Sequence, residues 1–170
     1  MLIRQGFRYR LREKGAHAVV FRRYTGACRF VWNRALAYQF EQRKATGKLP
    51  GYSALCAQLP AWKKDMPWLA EMPSQTLQQT LKELGEAWRR FFENLKKGHR
   101  AAPDNPALRR TLKKTGAQLA YPPRFKKRGD KDGMRFPQGF EIDEAHARIK
   151  LPKMGGWIRY RKSRDLIGTP

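Results

Sequence analysis

Apolar side chains recur at every second position near the start of the chain and at every third or fourth position over its middle. In residues 3–12 aromatic and aliphatic side chains alternate with arginines, the period of two that is typical of a half-buried strand. Residues 16–43 carry apolar side chains at three- and four-residue steps, which predicts a long helix. Thr46 and Gly47 are expected to end that helix.

Two further helices are predicted before residue 98. Ser53 is expected to cap a short helix that Pro60 stops or kinks. Ser74 is expected to cap the clearest helix of the chain, whose apolar stripe is interpreted as a core face. The stripe comprises Leu77, Leu81, Leu84, Trp88, Phe91, Phe92 and Leu95. The tryptophans between the helices are interpreted as core residues too, with base stacking as the minor alternative.

The last third of the chain is predicted to consist of short strands. Before them, residues 98–120 are rich in Gly, Pro, Asn and basic residues, which predicts a mobile connector with at most one short helical turn. The strand candidates are residues 134–136, 140–142, 146–151 and 157–161. The order of strand, helices and strands predicts an α+β fold, in which a small β-barrel or a curled sheet is interrupted by an inserted helical bundle.

The charge of the chain points to a polyanionic partner. Lys and Arg total 37 against 14 Asp and Glu, for a formal net charge of +23. A nucleic acid would relieve the resulting self-repulsion. Because aromatic residues make up 12% of the chain, we expect a packed core rather than a disordered basic tail. The arginines of the first strand are interpreted as phosphate contacts, the alternative being protection of a sheet edge.

No catalytic constellation is legible in the sequence. Cys28 and Cys56 lie within helical patterns and are interpreted as buried free thiols. The histidines stand alone, without the paired ligands of a zinc site. Two-metal nuclease chemistry needs several converging carboxylates. The acidic candidates, Asp130, Asp132, Asp143 and Glu144, are interpreted as loop and turn residues. We therefore predict that this chain is not an enzyme by itself.

Neither a membrane span nor a signal peptide is predicted. The sequence contains no stretch approaching the ~20 apolar residues that cross a bilayer. Its first residues lack the long apolar region of a secretory signal. We expect a cytoplasmic protein of a bacterium or archaeon, associated with nucleic acid and not with a membrane.

Several segments, taken in order, resemble the N-terminal part of the TnpB (OrfB) proteins of bacterial insertion sequences. The opening basic strand is the first of them. The others are residues 26–36 (GACRFVWNRAL), 67–77 (PWLAEMPSQTL), 87–92 (AWRRFF), 123–127 (PRFKK) and 151–154 (LPKM). No single segment is specific, but the ordered set covers nearly the whole chain.

The resemblance implies a fold and an activity. It implies a wedge-type β-barrel from residues 1–12 and 117–170, split by a helical recognition lobe at 13–116 that older descriptions call a helix-turn-helix domain. TnpB-like proteins are RNA-guided DNA nucleases related to type V CRISPR effectors. Their implied partners are a guide RNA from the transposon end, target DNA, and a C-terminal RuvC-like domain with Mg²⁺ and a zinc ribbon. The chain is expected to stop before that domain and to need no cofactor itself.

The sequence thus predicts the nucleic-acid-binding part of a TnpB-like transposon protein. The candidate phosphate-contacting residues are Arg4, Arg8, Arg10, Arg12, Arg124, Lys126, Lys127, Arg159, Arg161, Lys162 and Arg164. Two alternatives remain open at this point. One is a sequence-specific DNA-binding regulator of its insertion sequence, and the other is an intact metal-dependent nuclease.

Overall fold

The computed structural model describes residues 6–12, 15–129 and 133–164. Five helices and six short strands are assigned within these ranges. In chain order they are β1 Arg10–Leu11, α1 Ala16–Thr46, α2 Tyr52–Asp65, α3 Pro67–Ala70, α4 Ser74–Lys96, β2 Arg100–Ala101, α5 Pro106–Lys114, β3 Leu119–Ala120, β4 Glu141–Asp143, β5 Arg148–Lys150 and β6 Trp157–Arg161. None of the described helices is long and apolar enough to cross a membrane.

Helices α1 and α4 pack against each other and form the centre of the core, with α2 against α4. Leu36 of α1 and Leu81 of α4 are fully buried, and each such side chain contributes about 1.5–3 kcal/mol through removal from water. The predicted end of α1 is confirmed. Gly47 adopts φ 71°, and its N–H donates to the Arg43 carbonyl at 2.9 Å, as in a glycine-capped helix end.

A buried hydrogen-bond chain links α1 to α4. The Gln39 side chain accepts from Trp88 Nε1 at 2.9 Å and donates to the Pro50 carbonyl at 2.7 Å. Gln39 is buried, and a buried amide without partners would cost about 1–3 kcal/mol. This pair therefore fixes the position of α4 and of the loop after α1 relative to one another.

Helix α2 differs from its prediction at two residues. Pro60, which was expected to stop or kink the helix, lies inside α2 and does not stop it. Its ring is exposed, whereas Leu55, Leu59 and Trp62 on the inner face are buried. Their burial, about 1.5–3 kcal/mol each, offsets the roughly 3 kcal/mol that an internal proline costs. Ser53 lies within α2, after the N-cap Gly51.

Ser74 is not a cap either. It is the first residue of α4, and Pro73 holds the N-cap position. The Ser74 hydroxyl accepts instead from Lys63 Nζ at 2.6 Å. The stripe of α4 is buried as far as Trp88, and Phe91 is half-buried against the same core. Phe92 differs, because 42% of it is exposed.

The tryptophans of the connector differ in their environment. Trp62 is buried as predicted. Trp68 is 41% exposed and contacts Phe30 with ring centroids 5.3 Å apart. Its interpretation as a core residue is therefore wrong. The reason is that Pro67 starts the single turn of α3, which buries Leu69 and turns Trp68 outward.

Residues 98–120 are more structured than predicted. Strands β2 and β3 pair in parallel and α5 connects them. The Asn105 side chain accepts from the Ala107 and Leu108 amides at 2.9 and 3.4 Å, and Pro106 starts the helix. Asn before Pro is a helix-start signal, so the sequence contained enough information to predict α5.

The remaining strands form one antiparallel sheet in the order β1-β6-β5-β4. Residues 134–136 are not a strand. A mixed α and β architecture is confirmed. The predicted barrel is not, because no sheet closes among the described residues. Four strands of two to five residues are too few and too short to surround an interior filled with side chains.

Sheet and helices share a single core. Leu151, Met154 and Ile158 from the sheet region belong to the same buried cluster as the helical leucines. The Tyr24 hydroxyl on α1 also donates to the Lys153 carbonyl at 2.8 Å. The division into lobe and barrel stays a prediction.

Both cysteines are free thiols, as predicted. Cys28 is buried and Cys56 is half-buried. Burial raises the pKa of the Cys28 thiol, which keeps it neutral and unreactive.

Candidate nucleic-acid interface

Residues 8–12 present arginines on one side and apolar side chains on the other, as their alternation predicts. Of the strand predicted over residues 3–12, only Arg10–Leu11 is assigned, and residues 3–5 lie outside the described part of the chain. Arg8, Arg10 and Arg12 are exposed. On the opposite side, Tyr9 packs against Tyr160 of β6 with ring centroids 5.0 Å apart. The aromatic side thus anchors the segment to the sheet and leaves the guanidinium groups in solvent.

Strand pairing brings the arginines of two distant segments together. Arg10 lies directly opposite Arg161, and the Arg12 amide donates to the Arg159 carbonyl at 2.7 Å. We call Arg8, Arg10, Arg12, Arg159 and Arg161 the arginine row. Within the described residues, none of the five has an acidic side chain within 4 Å. Like charges placed opposite one another destabilise a strand pair, so this edge is suited to an anion.

The other edge of the same sheet is electrostatically compensated. On β4, Asp143 accepts from Arg148 Nε at 2.7 Å and contacts His146 at 2.9 Å, and Glu141 pairs with Lys150 at 3.0 Å. Burial raises the pKa of Asp143, but the hydrogen bonds from Arg148 and His146 outweigh it and lower that pKa to about 2. Positive charge therefore accumulates toward the β1–β6 edge.

The remaining candidates near the sheet are placed differently. Lys162 Nζ lies 3.5 Å from a Glu144 carboxylate oxygen, which partly neutralises it. Arg164 is exposed, and its carbonyl accepts from the Tyr9 hydroxyl at 2.9 Å. Arg4 lies outside the described residues.

The other three candidate cations are held against α1 and not on the sheet. Trp32 Nε1 donates to the Arg124 carbonyl at 2.8 Å. The Asn33 side chain donates to the Lys126 carbonyl at 3.0 Å and accepts from the Lys126 amide at 2.7 Å. Two side chains of one helix thus replace the partner that a neighbouring strand would offer this extended segment.

We call these contacts of Trp32 and Asn33 the clamp, and they leave the three cations of the segment differently exposed. Arg124 and Lys127 are exposed. Lys126 is half-buried, with Nζ 4.2 Å from the centre of the Trp32 ring, a cation–π contact. Lys126 therefore holds the segment in place, and Arg124 and Lys127 are the cations available to a ligand.

Trp32 and Asn33 position the site, and this role was not predicted from the sequence. The available signal was an asparagine in the apolar pattern of a helix, where it competes with the backbone for hydrogen bonds. Its partner lies 93 residues away, and no local pattern encodes that separation.

No three His, Cys, Asp or Glu side chains of the described residues cluster as metal ligands.

Comparisons with known proteins give one family match and two relatives. The model of the helix-turn-helix domain of OrfB proteins of the IS605 group matches residues 1–48. InsQ of Escherichia coli (strain K12), provisionally named an RNA-guided DNA endonuclease, is 42% identical over 167 residues, or 97% of this chain and 35% of InsQ. A Streptomyces pristinaespiralis protein of the same provisional name is 33% identical over 97 residues. The alignment covers 53% of this chain and 23% of the Streptomyces protein. The chain thus spans about a third of the first relative.

The described fold is mixed α and β, and its sheet has a basic edge. The similarity to InsQ over 97% of the chain confirms the predicted resemblance to the TnpB/OrfB family of insertion-sequence proteins.

The helix-turn-helix description does not correspond to two short helices here. The described part of residues 1–48 contains β1 and the single 31-residue helix α1. Ala27, Val31 and Leu36 of this helix are buried against other parts of the protein. One face of its central turns is therefore committed to core packing.

Proposed function

We propose that this chain is the nucleic-acid-binding part of an RNA-guided DNA endonuclease and that it holds guide RNA and target DNA. The observation that carries the proposal is the arginine row, in which Arg10 opposes Arg161 and no acidic side chain of a described residue lies within 4 Å of the five guanidinium groups. Guanidinium groups suit phosphates because their planar forks donate paired hydrogen bonds. The net charge of +23 and the names of the relatives support the same partner.

In this proposal the chain binds and does not cut. Two of the four acids considered as metal ligands are engaged elsewhere, and the other two, Asp130 and Asp132, lie outside the described residues. Asp143 is held by Arg148 and His146, and Glu144 lies beside Lys162. Cleavage then belongs to a RuvC-like domain with Mg²⁺ and a zinc ribbon, as the family resemblance implies. The sheet would be one wall of a split barrel from residues 1–12 and 117–170, with residues 13–116 as the recognition lobe.

The test is a salt titration of binding to RNA transcribed from the end of the insertion sequence. For a double-stranded ligand, each neutralised phosphate contributes about −0.9 to the slope of log affinity against log salt. Arg10→Gln/Arg161→Gln should lower affinity and make the slope shallower by about 2. The matched control is Arg89→Gln, because Arg89 already pairs with Glu86 and Glu93 at 2.6 Å. Equal effects of both changes would contradict a role for the arginine row.

A DNA-binding regulator is the second candidate, favoured by the helix-turn-helix description of the matching family model. Competition between the RNA and duplex DNA from the same insertion-sequence end separates the two. The proposal expects RNA to displace the duplex, and a regulator would retain it.

A further inference from the structure

Three phenylalanine rings lie exposed and connected on the surface beside α1. Phe40 is 40%, Phe92 42% and Phe125 51% exposed. Phe40 contacts Phe125 with centroids 6.1 Å apart, and both Phe40 and Phe92 contact Trp88, at 6.3 and 5.7 Å. We call Phe40, Phe92 and Phe125 the phenylalanine patch. Its rings come from α1, α4 and the segment that Asn33 clamps, so the fold alone assembles it.

Burial does not explain this patch. Trp88 beneath it is buried and hydrogen-bonded to Gln39, so the core is complete at that level. Three large exposed rings, linked by the contact between Phe40 and Phe125 and through Trp88 to Phe92, cost solubility and are characteristic of a binding surface.

Positive side chains surround the patch. Arg43 and Lys44 follow Phe40 by three and four positions on α1, and Lys96 follows Phe92 by four on α4, so helical geometry places them on the same faces as the rings. Lys127 is exposed two residues after Phe125. The nearest acid along α4, Glu93, is held by Arg89 at 2.6 Å. The surroundings therefore favour an anionic partner over a neutral apolar one.

We propose that the phenylalanine patch binds unpaired nucleotides, with bases stacked on the rings and phosphates beside Arg43, Lys44, Lys96 and Lys127. Aromatic platforms flanked by cations are how proteins hold single strands, since every base offers a π-face. A duplex keeps its bases stacked inside and offers this surface only phosphates. The inference rests on the proposed function and adds to it a preference for single-stranded ligand on a second surface.

The experiment compares a 12-nucleotide oligouridine with a blunt 12-base-pair duplex of mixed sequence. Phe40→Leu/Phe125→Leu keeps the apolar volume and removes the ring faces. Affinity for oligouridine should fall about five- to 150-fold for each stacked base lost, while affinity for the duplex changes less than twofold. The double variant Phe40→Leu/Phe125→Tyr keeps a ring at position 125 and should bind oligouridine as tightly as the single variant Phe40→Leu does. Tyr52→Leu, another exposed aromatic residue, is the matched control and should bind like the parent.

Every outcome decides the proposal. Equal losses on both ligands, or no loss on oligouridine, would overturn it, the second result leaving the patch as a protein-contact surface. If the parent binds both ligands and the leucine variant binds like the parent, only this inference fails. If the parent binds neither, the proposed function fails with it.

Discussion

The contact between Asn33 and Lys126 offers a sharp test of how α1 positions the basic segment. Asn33→Ala removes two hydrogen bonds, of 2.7 and 3.0 Å. Each is worth about 0.5–1.5 kcal/mol net, or about 1–3 kcal/mol together. Because α1 stays folded when the segment opens, the higher helix propensity of alanine does not enter this difference. We therefore expect the free energy of opening the segment to fall by about 1–3 kcal/mol.

The loss should be local. Residues 121–127 belong to no sheet, so releasing them opens one surface segment and leaves the helical core intact. Native-state hydrogen exchange at the Lys126 amide is the direct measurement. A weakening of about 1–3 kcal/mol corresponds to exchange faster by about five- to 150-fold.

The control is Asn94→Ala. Asn94 is also a half-buried helical asparagine, and its side chain makes no hydrogen bond to a described residue. It should leave Lys126 exchange unchanged. If Asn33→Ala also leaves that exchange rate unchanged, the clamp does not hold the segment, and Arg124 and Lys127 are not positioned by α1.

Four further outcomes follow from the same structure. Binding should weaken by about three to five decades between 50 and 200 mM salt if six to ten phosphates are neutralised; a flat titration would reject phosphate-dominated binding. Trp88→Ala should lower the free energy of unfolding by about 3–5 kcal/mol, whereas Phe92→Ala, which empties solvent-exposed space, should cost less than about 1 kcal/mol in urea denaturation. Because the pKa of Asp143 is lowered to about 2, its stabilising effect should be complete above its ordinary pKa of 3.8 and disappear as pH falls through 2; acid titration should show this component absent in Asp143→Asn. With guide RNA and Mg²⁺ or Mn²⁺, the purified chain should bind target DNA and leave it intact on a denaturing gel, and cleavage that follows the pure protein would refute the binding-only proposal.

The sequence by itself determined the elements whose patterns are long or regular. Helix α1 needs no distant information, because its apolar spacing persists over many turns and Gly47 provides a left-handed end. Strand β6 alternates over five residues and was predicted at its observed bounds. Composition alone determined the basic character, since 37 cations against 14 acids admit no neutral surface.

The tertiary structure alone decided the features in which distant groups compete or cooperate. Pro60 stays helical because Leu55, Leu59 and Trp62 of the same helix are buried against the rest of the protein. Phe91 is half-buried and its neighbour Phe92 is exposed, although both belong to one apolar stripe. Arg10 meets Arg161 only through strand register, and Asn33 meets Lys126 across 93 residues. Periodicity reports which face of an element is apolar, but it does not report which other element, if any, covers that face.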